Sequence, residues 1–271
     1  MAYSIQELDA TAFVKVRGST DAQQMFLTWR GSIYSFVPDE PQKHLFNIVG
    51  MSVGRFLDNQ DGSWYLTSRE LSYYLDPMTD DPLRRWDNPW TGERLAVVHV
   101  ANKLVQRFIR GRLPVGVNGN VATVFFNLFS NYPNPLQEEK FLAYSPHPNY
   151  QSVELFKFTA ATDELLDPNV SSVSKVILSW DRVGPWLPWM KMGNKGKGGH
   201  LIYSAFGNKT DSFSDLPALL QDEINSRLPL YKNAPTSKLD QEDMTSWTYF
   251  KRHFEAYLRG DVFPIPEAED E

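Results

Sequence analysis

What most limits the folds open to this 271-residue chain is its punctuation. Turn-forming clusters recur along it: "RGS" at 17–19 and 30–32, "NQDGS" at 59–63, "NPWTGE" at 88–93, "VNGN" at 117–120, "YPNP" at 132–135 and "HPN" at 147–149. Between them lie short apolar or alternating runs rich in Val, Ile, Tyr, Phe and Trp. Helices of ordinary length do not fit between such breaks, whereas strands joined by turns do. The expected strands are 24–29, 32–37, 44–57, 63–75, 93–101, 121–129, 152–159, 173–182 and 200–206, with 106–120 and 130–150 as loop-rich excursions. Helical spacing is clear only near the C-terminus, over 215–228 and 245–258; a third pattern at 99–111 competes with a strand reading.

About nine strands in one chain must hide their edges, and closure does so. The expected fold is mainly β: an antiparallel barrel or barrel-like sandwich with two C-terminal helices, enclosing an apolar cavity. No composition break divides the chain, so one domain over 1–271 is expected, with a frayed acidic tail at 260–271. The residues are 42% hydrophobic and 14% aromatic, enough for a substantial core. A net charge of −6 argues against a general nucleic-acid binder. The absence of cysteine rules out thiolate chemistry and fits a cytoplasmic protein. No apolar run reaches the ~18 residues of a helical membrane span, and a homodimer is compatible with the composition.

Candidate chemistry concentrates in "SWYLTSRELSYYLD" (63–76). Alternation puts Trp64, Leu66, Ser68, Glu70, Ser72 and Tyr74 on one face and Arg69 on the other, and neither face suits water. Two readings follow for the charges: pairing with neighbouring strands, or Glu70 as a cavity acid or base. His99 shares an apolar face with Leu95 and Val97, either as a hydrogen-bonded core residue or as a proton-transfer partner. No histidine pair has metal-ligand spacing, and GxSxG, GxGxxG and GxxxxGK[ST] are absent, so neither metal nor cofactor is expected. "GNKGKGG" (193–199) reads as a hairpin turn. In "WDRVGPWLPWMKMG" (180–193) Trp180 is read as ending a strand, and Pro185 and Pro188 forbid a continuous helix or central strand. Its Trp186, Trp189 and Met190 would plug the core, receive a partner, or form an aromatic rim over a cavity.

"VKVRGS" (14–19), "WRGSIYSFVP" (29–38), "LTSRELSYYLDPMTDD" (66–81), "WDNPWTGERLAVVHVAN" (86–102), the Trp-rich stretch and "TSWTYFKRHF" (245–254) together resemble the family called domain of unknown function 1838. The resemblance runs from about residue 10 to 256. It brings no established catalytic residues, but it directs attention to Arg17, Arg69, Glu70, Asp76, Asn88, Glu93, His99, Asn102, Asp181, Arg182 and Tyr249.

The expected function is a cofactor-independent enzyme of specialised metabolism that isomerises, cyclises or eliminates on an apolar small molecule. Glu70 and His99 would be acid and base, with Arg69 or Tyr249 as donor. Trp64, Tyr74, Trp90, Trp186, Trp189, Met190 and Trp247 would wall the substrate site. The alternatives are a carrier using the same cavity, a metal-dependent hydrolase, and an interaction module that exposes its tryptophans.

Overall fold

A computed structural model describes residues 3–196 and 198–267. Ten strands form one antiparallel sheet: β1 (Ser4–Asp9), β2 (Met25–Phe36), β3 (Lys43–Asp58), β4 (Trp64–Leu75), β7 (Val100–Ile109), β8 (Arg112–Asn118), β9 (Val121–Pro133), β10 (Asn149–Ala161), β11 (Ile177–Gly184) and β12 (His200–Thr210). Their spatial order is β1-β8-β9-β10-β11-β12-β2-β3-β4-β7, and β5 (Arg85–Asp87) with β6 (Arg94–Ala96) makes a separate hairpin. The helices are α1 (Ala10–Arg17), α2 (Thr162–Leu166), α3 (Ala218–Ser226), α4 (Ser246–Arg252) and α5 (Phe254–Arg259). The mainly β, barrel-like expectation holds. The sheet curls into a half-barrel around a cavity lined by residues of β2, β3, β4, β7, β9, β10, β11 and β12.

Several boundaries differ from the sequence reading, each for a local reason. Segments 24–29 and 32–37 are one strand, because the second "RGS" is not a turn. Gly31 there lies against β12 so closely that a Cβ would stand 2.1 Å from the Ser204 carbonyl oxygen. Residues 100–109 are strand, and 112–118 form a further strand inside an expected loop. Trp180 does not end its strand; β11 continues to Gly184. The helix over 245–258 breaks at His253. Of the expected frayed tail, the part at 263–267 is tied down: Phe263 is buried, Ile265 N–H donates to Tyr249 Oη, and Glu267 meets His253 and Arg252. Residues 268–271 lie outside the described residues.

Three elements close the half-barrel. At one end α1 enters the sheet's concave side, its N-terminus capped by Asp9, whose carboxylate accepts from Thr11 N–H. Phe13 of α1 stacks on Phe126, with ring centroids 4.3 Å apart, and meets Phe56 and Phe158 edge-on. Along the outer face of β4 run α3 and the segment after it. Tyr73 Oη donates to Glu223, and Arg69 to the Asn233 and Lys103 carbonyls. This cover explains why both faces of β4 are apolar. At the free edge of β7, residues 239–244 run alongside the strand. Met244 N–H donates to the Leu104 carbonyl, Gln106 N–H to Asp243 Oδ1, and Leu239 N–H to Gln106 Oε1. Residues 243–247 then turn in to face the cavity, and Thr245 and Thr248 form the capping box that starts α4.

The Trp-rich stretch is a core plug. Pro188–Met190 form a 3-10 turn, and Lys191 follows in the left-handed region at φ 48°. Trp189, 2% exposed, packs against Phe46, Tyr74 and Trp86 at 5.6–5.8 Å between centroids. Trp186 Nε1 donates to the Gly196 carbonyl. Asn88 Nδ2 and Tyr257 Oη tie down the Met190 and Trp189 carbonyls. The "GNKGKGG" stretch begins with a 3-10 turn at Gly193–Gly196; Lys197 lies outside the described residues.

Candidate functional site

The curled sheet leaves a cavity of about 450 Å³, within the range of small-molecule sites. Trp29, Phe126, Phe156, Phe158, Trp180 and Trp247 supply much of its wall. It is more polar than the aromatic-lined cavity with one acid–base pair that was expected. Arg17, Glu70, Asn102, Glu154 and Arg182 line it as well, with Tyr74, Tyr150 and Tyr203.

Glu70 reaches this space because β4 alternates as expected: Leu66, Ser68, Glu70, Ser72 and Tyr74 all face inward. Opposite it, β7 departs from alternation. Its register against β4 runs from Val105↔Ser68 to Asn102↔Glu70, so β7 carries one extra residue there. That bulge turns both Val105 and Asn102 inward although they are three apart. Asn102 Nδ2 then donates to Glu70 Oε2 at 3.1 Å. Burial raises the Glu70 carboxyl above its ordinary range, and Glu154 adds to this; Asn102, Arg107 and Arg17 pull the other way. Burial also lowers the Arg17 guanidinium to about 10, opposed by the Glu70 charge.

Farther along the cavity, Trp180 Nε1 donates to Glu154 Oε2 at 3.1 Å. Arg182 Nη2 donates to Tyr150 Oη at 3.0 Å, and the guanidinium lies 4.8 Å from the centre of the Tyr203 ring. Burial disfavours charge on Arg182, but the oxygens of Tyr150, Tyr203 and Glu154 outweigh it and hold the group cationic. Burial pushes the Tyr74 and Tyr203 phenols up, so each keeps its proton. Asp181, a candidate partner for Arg182, is on the other face of β11, beside Lys157 and Ser204.

Of the candidate site residues, the structure brings Glu70, Tyr74 and Trp247 to the cavity. His99, Arg69 and Tyr249 do not line it. His99 sits where β7 leaves β4; its Nδ1 accepts from Tyr74 N–H at 3.1 Å, in place of a ladder carbonyl. The paired Glu70–His99 acid and base is therefore not assembled, because the alternation that turns Glu70 inward leaves His99 buried behind Tyr73 and Tyr74. Tyr249 Oη accepts from Ile265 N–H, outside the cavity. Trp64, Trp90, Trp186, Trp189 and Met190 lie outside the lining too. Trp90 hydrogen-bonds Glu40 and packs on Trp186, and from the Trp-rich plug only Trp180, Arg182 and Leu187 touch the cavity.

Sequence reasoning missed Glu154, Trp29, Trp180, Tyr150 and Tyr203 as site residues. Glu154 carries the signal that found Glu70: a mid-strand carboxylate on the same face as Phe156 and Phe158.

A model of the DUF1838 family, described as protein of unknown function, matches residues 22–254. The chain belongs to the DUF1838 family. Glu70, Asn102, Glu154 and Arg182 fall within the matched region, and Arg17 precedes it. A search of the curated proteins found no match to this DUF1838 chain. Among the described residues no helix is long and apolar enough to cross a membrane, and no three His, Asp or Glu side chains gather as a metal-binding group.

The His99 environment has a consequence for acid stability. Burial lowers its imidazole from 6.5 to about 3, so the folded state keeps it neutral while the unfolded chain takes up a proton below 6.5. Stability contributed by this site is therefore full above pH 6.5 and falls as pH drops from there towards 3. Urea midpoints measured between pH 7 and pH 4 should decline, and the decline should be shallower in His99→Gln.

Proposed function

We propose that this DUF1838 chain is a cofactor-independent enzyme that moves a proton on a small molecule held in the cavity, in an isomerisation, cyclisation or elimination. The carrying observation is that Glu70, a buried carboxyl fixed by Asn102, faces an aromatic-walled cavity that also holds cationic and phenolic donors. A carboxyl raised by burial keeps its proton to higher pH than an exposed one and is suited to deliver it to substrate as a general acid. Glu154, another carboxyl of the cavity, is placed to receive a proton in exchange. Arg182 and Tyr203 supply positive charge and O–H donation where a carbonyl or enol oxygen gains charge. The aromatic walls restrict a flexible skeleton to few conformers, which lowers the entropic part of a ring-closing barrier.

The test is turnover of a small-molecule extract by the purified protein, followed by mass spectrometry. Products of unchanged mass, or of substrate mass less water, are expected with the wild type and not with Glu70→Gln. Equal conversion by both proteins removes Glu70 from the chemistry, and uptake without conversion by either supports a carrier instead.

A further inference from the structure

Two arginines line the cavity near a carboxyl, Arg17 near Glu70 and Arg182 near Glu154, but without a direct ion-pair contact. Arg17 is 5% exposed and Arg182 8%, yet among the described residues neither stands within 4.0 Å of a carboxylate oxygen. Each gives one guanidinium nitrogen a neutral acceptor: Arg17 Nη2 to Ser52 Oγ at 2.8 Å, and Arg182 Nη2 to Tyr150 Oη. In both residues Nη1 is buried with no hydrogen-bond partner. Trp29 Nε1, on the same lining, is also unpartnered.

Buried cations are ordinarily paired, because desolvating an isolated charge costs several kcal/mol even after relaxation. This cavity does the opposite and makes room for them. A Cβ on Gly184 would stand 2.7 Å from Arg182 Nη2, and one on Gly54 would stand 3.2 Å from Arg17 Nη2. The pocket around Arg182 is thus built with open donor capacity, bordered by the aromatic surface of Trp180 and Tyr203.

We propose that the molecule bound here is an organic acid: an aromatic or unsaturated carbon skeleton carrying one anionic oxygen group, such as a carboxylate or enolate. Its charge is held at Arg182, and its skeleton lies along the aromatic wall towards Glu70. Arg17 provides positive potential near the reacting end. This assignment rests on the acid–base reading of the same cavity and names its substrate class.

Calorimetric titration with charge-matched pairs tests it: naphthylacetate against naphthylacetamide, and phenylpropionate against phenylpropionamide. In the wild type the acid should bind at least about tenfold more tightly than its amide in one pair or both. In Arg182→Met the ratio should fall towards one with amide affinity unchanged, and Arg182→Lys should retain part of the preference. Should Arg182→Met fail to fold by circular dichroism, the wild-type ratio and Arg17→Met decide. Equal affinity for acid and amide in both pairs, no binding of any of the four compounds, or a preference that survives in both arginine variants overturns the assignment. Binding and chemistry fail separately. A lost charge preference with Glu70→Gln still inactive sinks the substrate class alone. An active Glu70→Gln with the preference intact sinks the acid–base reading alone.

Discussion

Trp189→Ala is expected to cost about 3–5 kcal/mol of folding stability, the range for a large aromatic removed from a closed core. Trp189 is 2% exposed and its ring contacts three other aromatics, Phe46, Tyr74 and Trp86, drawn from two sheets. None of these can swing into the void without giving up its own contacts. A domain usually has only about 5–15 kcal/mol in hand, so the loss should show as a large fall in urea midpoint at unchanged slope. Trp189→Phe should cost much less, because it keeps most of the ring volume and removes an indole N–H that is buried without a partner. A ligand-facing rim would behave otherwise, losing affinity before stability. A Trp189→Ala variant within about 1 kcal/mol of wild type would therefore contradict the plug.

Glu70→Gln should lower turnover by about 10²–10⁴, the usual contribution of a positioned proton donor. The substitution is close to isosteric, and a glutamine carbonyl oxygen can still accept from Asn102 Nδ2. Ligand affinity should change little, so the loss falls on kcat rather than KM. Stability should move the other way. The folded state holds the Glu70 proton more tightly than the unfolded chain does, whose carboxyl titrates near 4.5. The stability from that proton is full below 4.5 and is lost as pH rises through the folded value. Glutamine has no such loss, so the urea midpoint of Glu70→Gln should gain on wild type as pH rises above 4.5. Midpoints that run parallel across pH 4 to 8 would show that Glu70 is solvated rather than buried.

The part of the site that was legible in the sequence is the part set by local periodicity. Alternation through 63–76 placed Leu66, Ser68, Glu70, Ser72 and Tyr74 on one face, and they share the cavity. It also marked both faces of that strand as unsuited to water: one looks into the cavity, and α3 and the Asn233 segment cover the other. What periodicity could not carry is any change of phase. The β7 bulge that delivers Asn102 adds one residue and leaves no sequence mark. Gly31 was read as a turn because glycine between Arg and Ser suits one, whereas its use is close approach to β12. α1 was missed because "ATAFVKVR" follows a strand-like run and gains its stability from burying Phe13 against distant rings. The tryptophans of 180–193 were visible as costly surface, but their direction depends on a fold closed by residues far along the chain, among them Asn88 and Tyr257.

The segment at the β7 edge is fastened differently from the strands. Elsewhere the wall is a continuous ladder of backbone hydrogen bonds, and parting two strands breaks many at once. Along 239–244 the joint consists largely of side-chain contacts: Gln106 to Leu239 and Gln241, and Arg107 to Asp243. Such a joint yields piecewise, each bond contributing only about 0.5–1.5 kcal/mol net. Trp247, just past this stretch, donates to Ser145 Oγ and also lines the cavity, so the seam and the wall meet at one side chain. The half-barrel's wall is thus a ladder along most of its length and a row of separate contacts at this one seam.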